Sequence, residues 1–251
     1  MELFTGLLVG IVGGLLSGLT GVGGAIVMIP LLTLGLGLDH HTAQGTTLMA
    51  FSFPVLGLAA WRYWKAGRVL PRLSLALAIG MAIASFLSGR LVQNLPTPIL
   101  QKVFAAFLLI ATLYLLWRNF FAQTREVARL PRQPLFWWGV LGGLITGALS
   151  GLTGLGGGII MVPYMVYILR LDQHTAQGTS LMTLSFPVLI FAAWPYFTAG
   201  RVALQIGAGL AIGMIAASFL TATFAQKIQS RRLAQGFSLL LLAVSLLYFF
   251  R

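Results

Sequence analysis

Displaced by 133 positions, the sequence lies on itself without a gap: Gly18–Val69 matches Gly151–Val202 at 33 of 52 positions. The shared blocks are Gly-Leu-Thr-Gly-x-Gly-Gly from Gly18 and Gly151, Asp-x-His-Thr-Ala-Gln-Gly-Thr from Asp39 and Asp172, Ser-Phe-Pro-Val-Leu from Ser52 and Ser185, and Ala-Gly-Arg-Val from Ala66 and Ala199. A fold for this chain must therefore accommodate two like units. The division follows as a first repeat over 1–118, a basic, Pro-containing linker over 119–134 and a second repeat over 135–251.

Lipid is the solvent that suits such units. Of 251 residues, 58% are hydrophobic and 8% charged, against roughly 25% charged in a soluble domain. Leu73–Leu91, Ile99–Trp117, Leu204–Phe224 and Leu233–Phe250 each approach the roughly 20 residues that span a bilayer core. The fold class is thus an all-α polytopic membrane protein. The net charge of +12 does not make a nucleic-acid binder, because Lys and Arg fall in short gaps between apolar segments, where topology-setting charges belong. Without cysteine there is no disulfide, thiolate nucleophile or Cys metal site. The opening Met1-Glu2 lacks the basic region of a cleavable signal.

Each copy reads as five helical segments, near 3–18, 25–37, 43–63, 72–92 and 98–118 in the first. Glycine recurs every fourth residue along the first segment, at Gly6, Gly10, Gly14 and Gly18, and again at Gly139, Gly143, Gly147 and Gly151. Such a ladder admits a second backbone at close range. The second segment follows a glycine turn, contains Pro30 and is too short to cross a core of roughly 30 Å at 1.5 Å per residue. Each copy therefore carries a Gly-rich broken or re-entrant helix pair. Equivalent gaps carry opposite charge bias: Arg62, Lys65, Arg68 and Arg72 against Arg201 alone, and Arg90 and Lys102 against Lys227, Arg231 and Arg232. Positive charge marks the cytoplasmic side. The bias predicts an inverted repeat with both termini outside and the linker inside.

The glycine turns are the candidate binding site. Backbone that leaves the helix at membrane depth must face protein or a watery cavity. A helix start presents unpaired N–H groups and partial positive charge, and glycine lets a ligand approach them. Thr20, Gly21, Gly23, Gly24 and Ala25, with Thr153, Gly154, Gly156, Gly157 and Gly158, form two matched cradles for a small anionic substrate. Gln44, Thr46 and Thr47, and Gln177, Thr179 and Ser180, open the third segment, where they could line a pathway. Thr42 or Thr175 can cap that helix, with Asp39 and Asp172 capping the loop before it. Pro54 and Pro187 fall inside the third segment as hinge candidates, each freeing the carbonyl four residues earlier, at Ala50 and Thr183. No cofactor or metal is expected: Asp39, His40, His41, Asp172 and His174 would lie on opposite faces of an inverted repeat. None of Glu2, Asp39, Glu126 and Asp172 lies mid-segment, which removes a buried carboxylate relay.

With its doubled Gly-Leu-x-Gly-x-Gly-Gly turn followed by apolar-x-x-Pro, and its doubled Ala-x-Gly-Thr-(Thr/Ser)-Leu block, the chain resembles the TauE/SafE sulfite exporter family of membrane transporters over nearly its whole length. Gln44 and Gln177 depart from the smaller apolar residue expected before Gly-Thr. The resemblance implies no enzyme but movement of sulfite or a short organosulfonate across a prokaryotic inner membrane, often outward. The expected mechanism is alternating access between the two repeats. An inside-negative potential favours anion export by roughly 2.3 kcal/mol per charge per 100 mV. An anion channel of similar architecture is the alternative.

Overall fold

The computed structural model describes residues 1–20, 23–121, 135–225 and 242. The expected linker from 122 onward and, apart from Leu242, the final segment Leu233–Phe250 lie outside the described residues. The described chain is helical: α1 Glu2–Thr20, α2 Ala25–Pro30, α3 His40–Ser52, α4 Gly57–Lys65, α5 Pro71–Val92, α6 Thr97–Phe121, α7 Leu135–Thr153, α8 Gly158–Pro163, α9 Gln173–Ser185, α10 Leu189–Thr198 and α11 Leu204–Ala225. By length and composition α5, α7 and α11 can cross a membrane, and the bent pairs α3–α4 and α9–α10 bring the candidate spans among the described residues to five. The chain is a polytopic helical membrane protein.

Local chemistry sets the boundaries. The short helices α2 and α8 end at Pro30 and Pro163, and each runs on as a wider π-turn, Leu31–Gly35 and Tyr164–Ile168. The Asp39 side chain accepts from the backbone N–H of His41 and Thr42, and Asp172 from that of Thr175. These carboxylates, and not Thr42 or Thr175, are the N-caps of α3 and α9. The third segment also differs from expectation, because it is two helices and not one kinked helix. Pro54 and Pro187 disfavour helical geometry at the residue before them, and Phe53 and Phe186 are extended, with ψ of 154° and 148°. Across these breaks the axes turn by 48° and 44°. The Thr183 carbonyl is not left free, since Phe186 N–H donates to it.

Packing joins the two sequence copies reciprocally. The first helix of each copy lies along the fourth of the other: α1 on α11 and α7 on α5. The glycine ladder makes this possible. A Cβ on Gly6 or Gly10 would overlap the carbonyl of Ile206 or Leu210, and one on Gly143 that of Leu77. Glycines answer from the other side, Gly209 and Gly213 against α1 and Gly80 against α7. With no hydrophobic drive between helices in lipid, this close approach supplies the dispersion contact that holds them together. Between these outer pairs, α10 packs on α3 and α5, and α4 packs on α9.

Candidate functional site

The glycine turns border one another at the centre of this arrangement. A Cβ on Gly23 would sit 3.9 Å from the Leu155 carbonyl oxygen of the other turn. Gly23, Gly154, Gly156 and Gly157 have φ of 89°, 71°, 71° and 75°, values that L side chains adopt only under strain, so glycine is required there. Gly24, at φ −79°, is needed for another reason: a Cβ on it would overlap the backbone of Gly13 in α1. Ala25 and Gly158 open α2 and α8 and are buried. The side chain of Thr20 and all of Gly21 lie outside the described residues.

A buried polar network surrounds the second turn. Gln44 is fully buried. Its amide Nε2 donates to His40 Nε2 at 3.2 Å and to the Leu152 carbonyl at 3.5 Å. The Tyr196 hydroxyl lies 3.0 Å from both Gln44 Oε1 and the Gly151 carbonyl. The last turn of α7, whose carbonyls lack helical partners, is thus met by side chains of α3 and α10. The other copy repeats the motif more loosely, with the Tyr63 hydroxyl 3.4 Å from Gln177 Oε1. Neither tyrosine was singled out from the sequence, although both stand in the shared Ala-Ala-Trp-x-Tyr run at 59–63 and 192–196.

The hydroxyls of α3 and α9 work between copies. Thr46 Oγ1 accepts from Ala203 N–H at 2.9 Å, just ahead of α11, and Thr179 Oγ1 accepts from Leu70 N–H at 3.1 Å, just ahead of α5. Each satisfies a donor at a helix start that has no intrahelical acceptor. Thr47 donates to the Ala43 carbonyl and Thr153 to the Leu149 carbonyl, each one turn back. Ser180 is fully buried, and its oxygen has no hydrogen-bond partner among the described residues. At one end of the bundle a half-open cavity of about 450 Å³ is lined by Arg90, Gln93, Asn94, Trp194, Pro195, Thr198 and Ala199. Pro195 in this lining precedes Tyr196 of the buried network in sequence.

Uncharged donors thus gather around broken, glycine-lined helices in a polytopic bundle, and comparison with known proteins makes the chain a membrane transporter. The family model described as "Sulfite exporter TauE/SafE" matches residues 6–248, and the chain belongs to that family. Among curated relatives it is similar to "Probable membrane transporter protein YdhB" of Bacillus subtilis, at 25% identity over 84% of this chain and 85% of that one. It is also similar to "Probable membrane transporter protein MJ0441" of Methanocaldococcus jannaschii, 28% identical over 90% of this chain and 88% of that one, and to a "Probable membrane transporter protein" of Haemophilus influenzae, 28% identical over 98% and 97%. No solved structure matches the chain.

Proposed function

We propose that this transporter exports a small sulfur-containing oxyanion, sulfite or a short organosulfonate, across a prokaryotic inner membrane by alternating access. The observation that carries the reading is the meeting of the two glycine turns, Gly23 against Leu155. There the backbone N–H groups of Gly23, Gly24, Ala25, Gly156, Gly157 and Gly158 supply donors without a buried counter-cation. Broken helices aimed at anionic groups near the midplane are a recurring transporter device. Thr153 joins by exchanging its bond to Leu149 for the substrate, and Thr20 is its counterpart. The cavity beside Arg90 is the mouth on one side, where a cation raises the local anion concentration.

Inversion of the repeats is part of this proposal, and contacts between the copies support it. Arg68, after the end of α4, pairs with Asp172, at the start of α9, at 3.3 Å. If α3–α4 and α9–α10 are spans, the end of one lies beside the start of its counterpart. Parallel repeats would put Arg68 and Asp172 on opposite sides of the bilayer. Gly45 against the Arg201 carbonyl and Gly178 against the Arg68 carbonyl repeat the relation in both directions. The two repeats are then the rocking bodies of the transport cycle, with Pro54 and Pro187 as its hinges.

The test is anion-dependent thermal unfolding followed by flux. Sulfite, thiosulfate, taurine, sulfate, acetate and chloride are compared at matched ionic strength, and a ligand at 100 times its dissociation constant stabilises the folded state by about 2.7 kcal/mol. A selective rise with a sulfur anion, together with counterflow of that anion in proteoliposomes, is the expected result. Non-saturating flux without counterflow would identify a channel, and no sulfur-selective response in either assay would end the sulfur assignment.

A further inference from the structure

Of the three buried serines without a hydrogen-bond partner among the described residues, Ser17, Ser150 and Ser180, the first two are counterparts in the two copies. Hydroxyls on apolar helices commonly return their proton to a carbonyl one turn back, and Thr47, Ser52, Thr146, Thr153, Ser185 and Thr221 all do so here. Ser17 and Ser150 do not. They are 0% and 1% exposed, and their oxygens have no hydrogen-bond partner among the described residues. They occupy the same place in the two copies, 133 positions apart, one turn before the ends of α1 and α7 at Thr20 and Thr153.

Helical register places both serines beside the glycine turns. Residues four apart share a helix face. Ser17 follows Gly13, against which Gly24 packs, and Ser150 follows Thr146, whose carbonyl oxygen would lie 3.3 Å from a Cβ on Gly157. A buried hydroxyl without a partner is destabilising, and alanine would fill either position without that penalty. Two equivalent unmet hydroxyls on the faces that border one junction are explained by a ligand that meets them. That ligand is better an anion than a cation. The Gly151 and Leu152 carbonyls beside Ser150 are engaged by Tyr196 and Gln44. Of the described carboxylates, Glu2 begins α1, while Asp39 and Asp172 cap α3 and α9.

We propose that Ser17 and Ser150 are binding residues for the transported oxyanion, each donating its hydroxyl proton to one of the anion's oxygens from its own side of the junction. This rests on the oxyanion reading above and adds two side-chain donors to the backbone cradle. The experiment uses the full chain in detergent with Ser17→Ala, Ser150→Ala and the double variant, titrated with sulfite and with thiosulfate. A hydrogen bond to a charged group predicts about tenfold weaker binding for each single variant, and weaker binding again for the double, with the two losses coupled through the shared anion. Without anion, the unfolding midpoints should equal or exceed that of the wild type. The size-conserving Ser17→Cys and Ser150→Cys, which offer only a weak donor, should lose affinity in the same way. Wild-type affinity in the double alanine variant overturns the assignment. So does a lowered midpoint in the absence of anion, the signature of a structural serine. A wild-type protein that answers to neither anion removes the oxyanion reading and the serine assignment with it, whereas an equal response in wild type and variants removes the serines alone.

Discussion

The two copies share one sequence motif but settle it differently at their rims. In the second copy Asp172 pairs across the repeats with Arg68. In the first, Asp39 turns back to its own helix and to the Thr97 hydroxyl, and among the described residues Arg201 has no carboxylate within 4 Å. Gly37 takes a left-handed φ of 70°, and its counterpart Arg170 is held at 55°. Inward, the copies agree: Thr46 with Ala203 mirrors Thr179 with Leu70, and Tyr196 with Gln44 mirrors Tyr63 with Gln177. The likeness persists in these bonds between the copies, and it fails at the rims and at the glycine turns, where Gly24 has φ −79° and its counterpart Gly157 75°.

The strongest way to break this comparison is to attack the shared interior. Gly143→Leu forces a side chain into the Leu77 carbonyl and should destabilise by about 3 kcal/mol, seen as loss of monodisperse protein in detergent; Gly10→Leu, its image against Leu210, should match it. Next come the tyrosines. Tyr196→Phe leaves Gln44 Oε1 without its 3.0 Å donor and should cost about 1–2 kcal/mol, and Tyr63→Phe, at 3.4 Å, about half as much. Equal losses in denaturant titrations would show that the two copies are tighter twins than their geometry states. Arg170→Gly relieves a left-handed φ and should gain about 0.5 kcal/mol after the flexibility of glycine in the unfolded chain is counted. Smallest is Arg68→Ala, which breaks an exposed ion pair worth about 0.5 kcal/mol or less. Its effect should vanish at high salt, whereas the others persist.

Much of this arrangement was legible in the residues because it depends on local backbone rules. The repeat, the glycine ladder, the short second helix and the turns needing positive φ are read from spacing and from what glycine alone permits. Thr42 and Asp39 both suit an N-cap, and the apolar pattern favours Thr42 because α3 begins three residues ahead of that pattern, at His40. The break at Pro54 was read as a kink because one lost hydrogen bond is tolerable in a helix; the extended Phe53 before it is what ends α3. The Tyr196–Gln44 and Tyr63–Gln177 pairs join residues 152 and 114 positions apart. No local pattern encodes such pairs, although the identity of both tyrosines across the copies was a usable signal.

The reciprocal clasp has a consequence for how the protein is made. When α7 emerges, α5 is already in the bilayer, and Gly143 finds Leu77 only 66 positions behind it. Gly10 must wait for Leu210, made 200 positions later. At about 5–20 residues per second of synthesis, α1 waits roughly 10–40 s for the helix that covers its glycine face. A molecule built on near-twofold likeness is therefore assembled one-sidedly. Its N-terminal helix is the part most in need of a temporary companion at the site of insertion, and its glycine face is where damage to biogenesis would first appear.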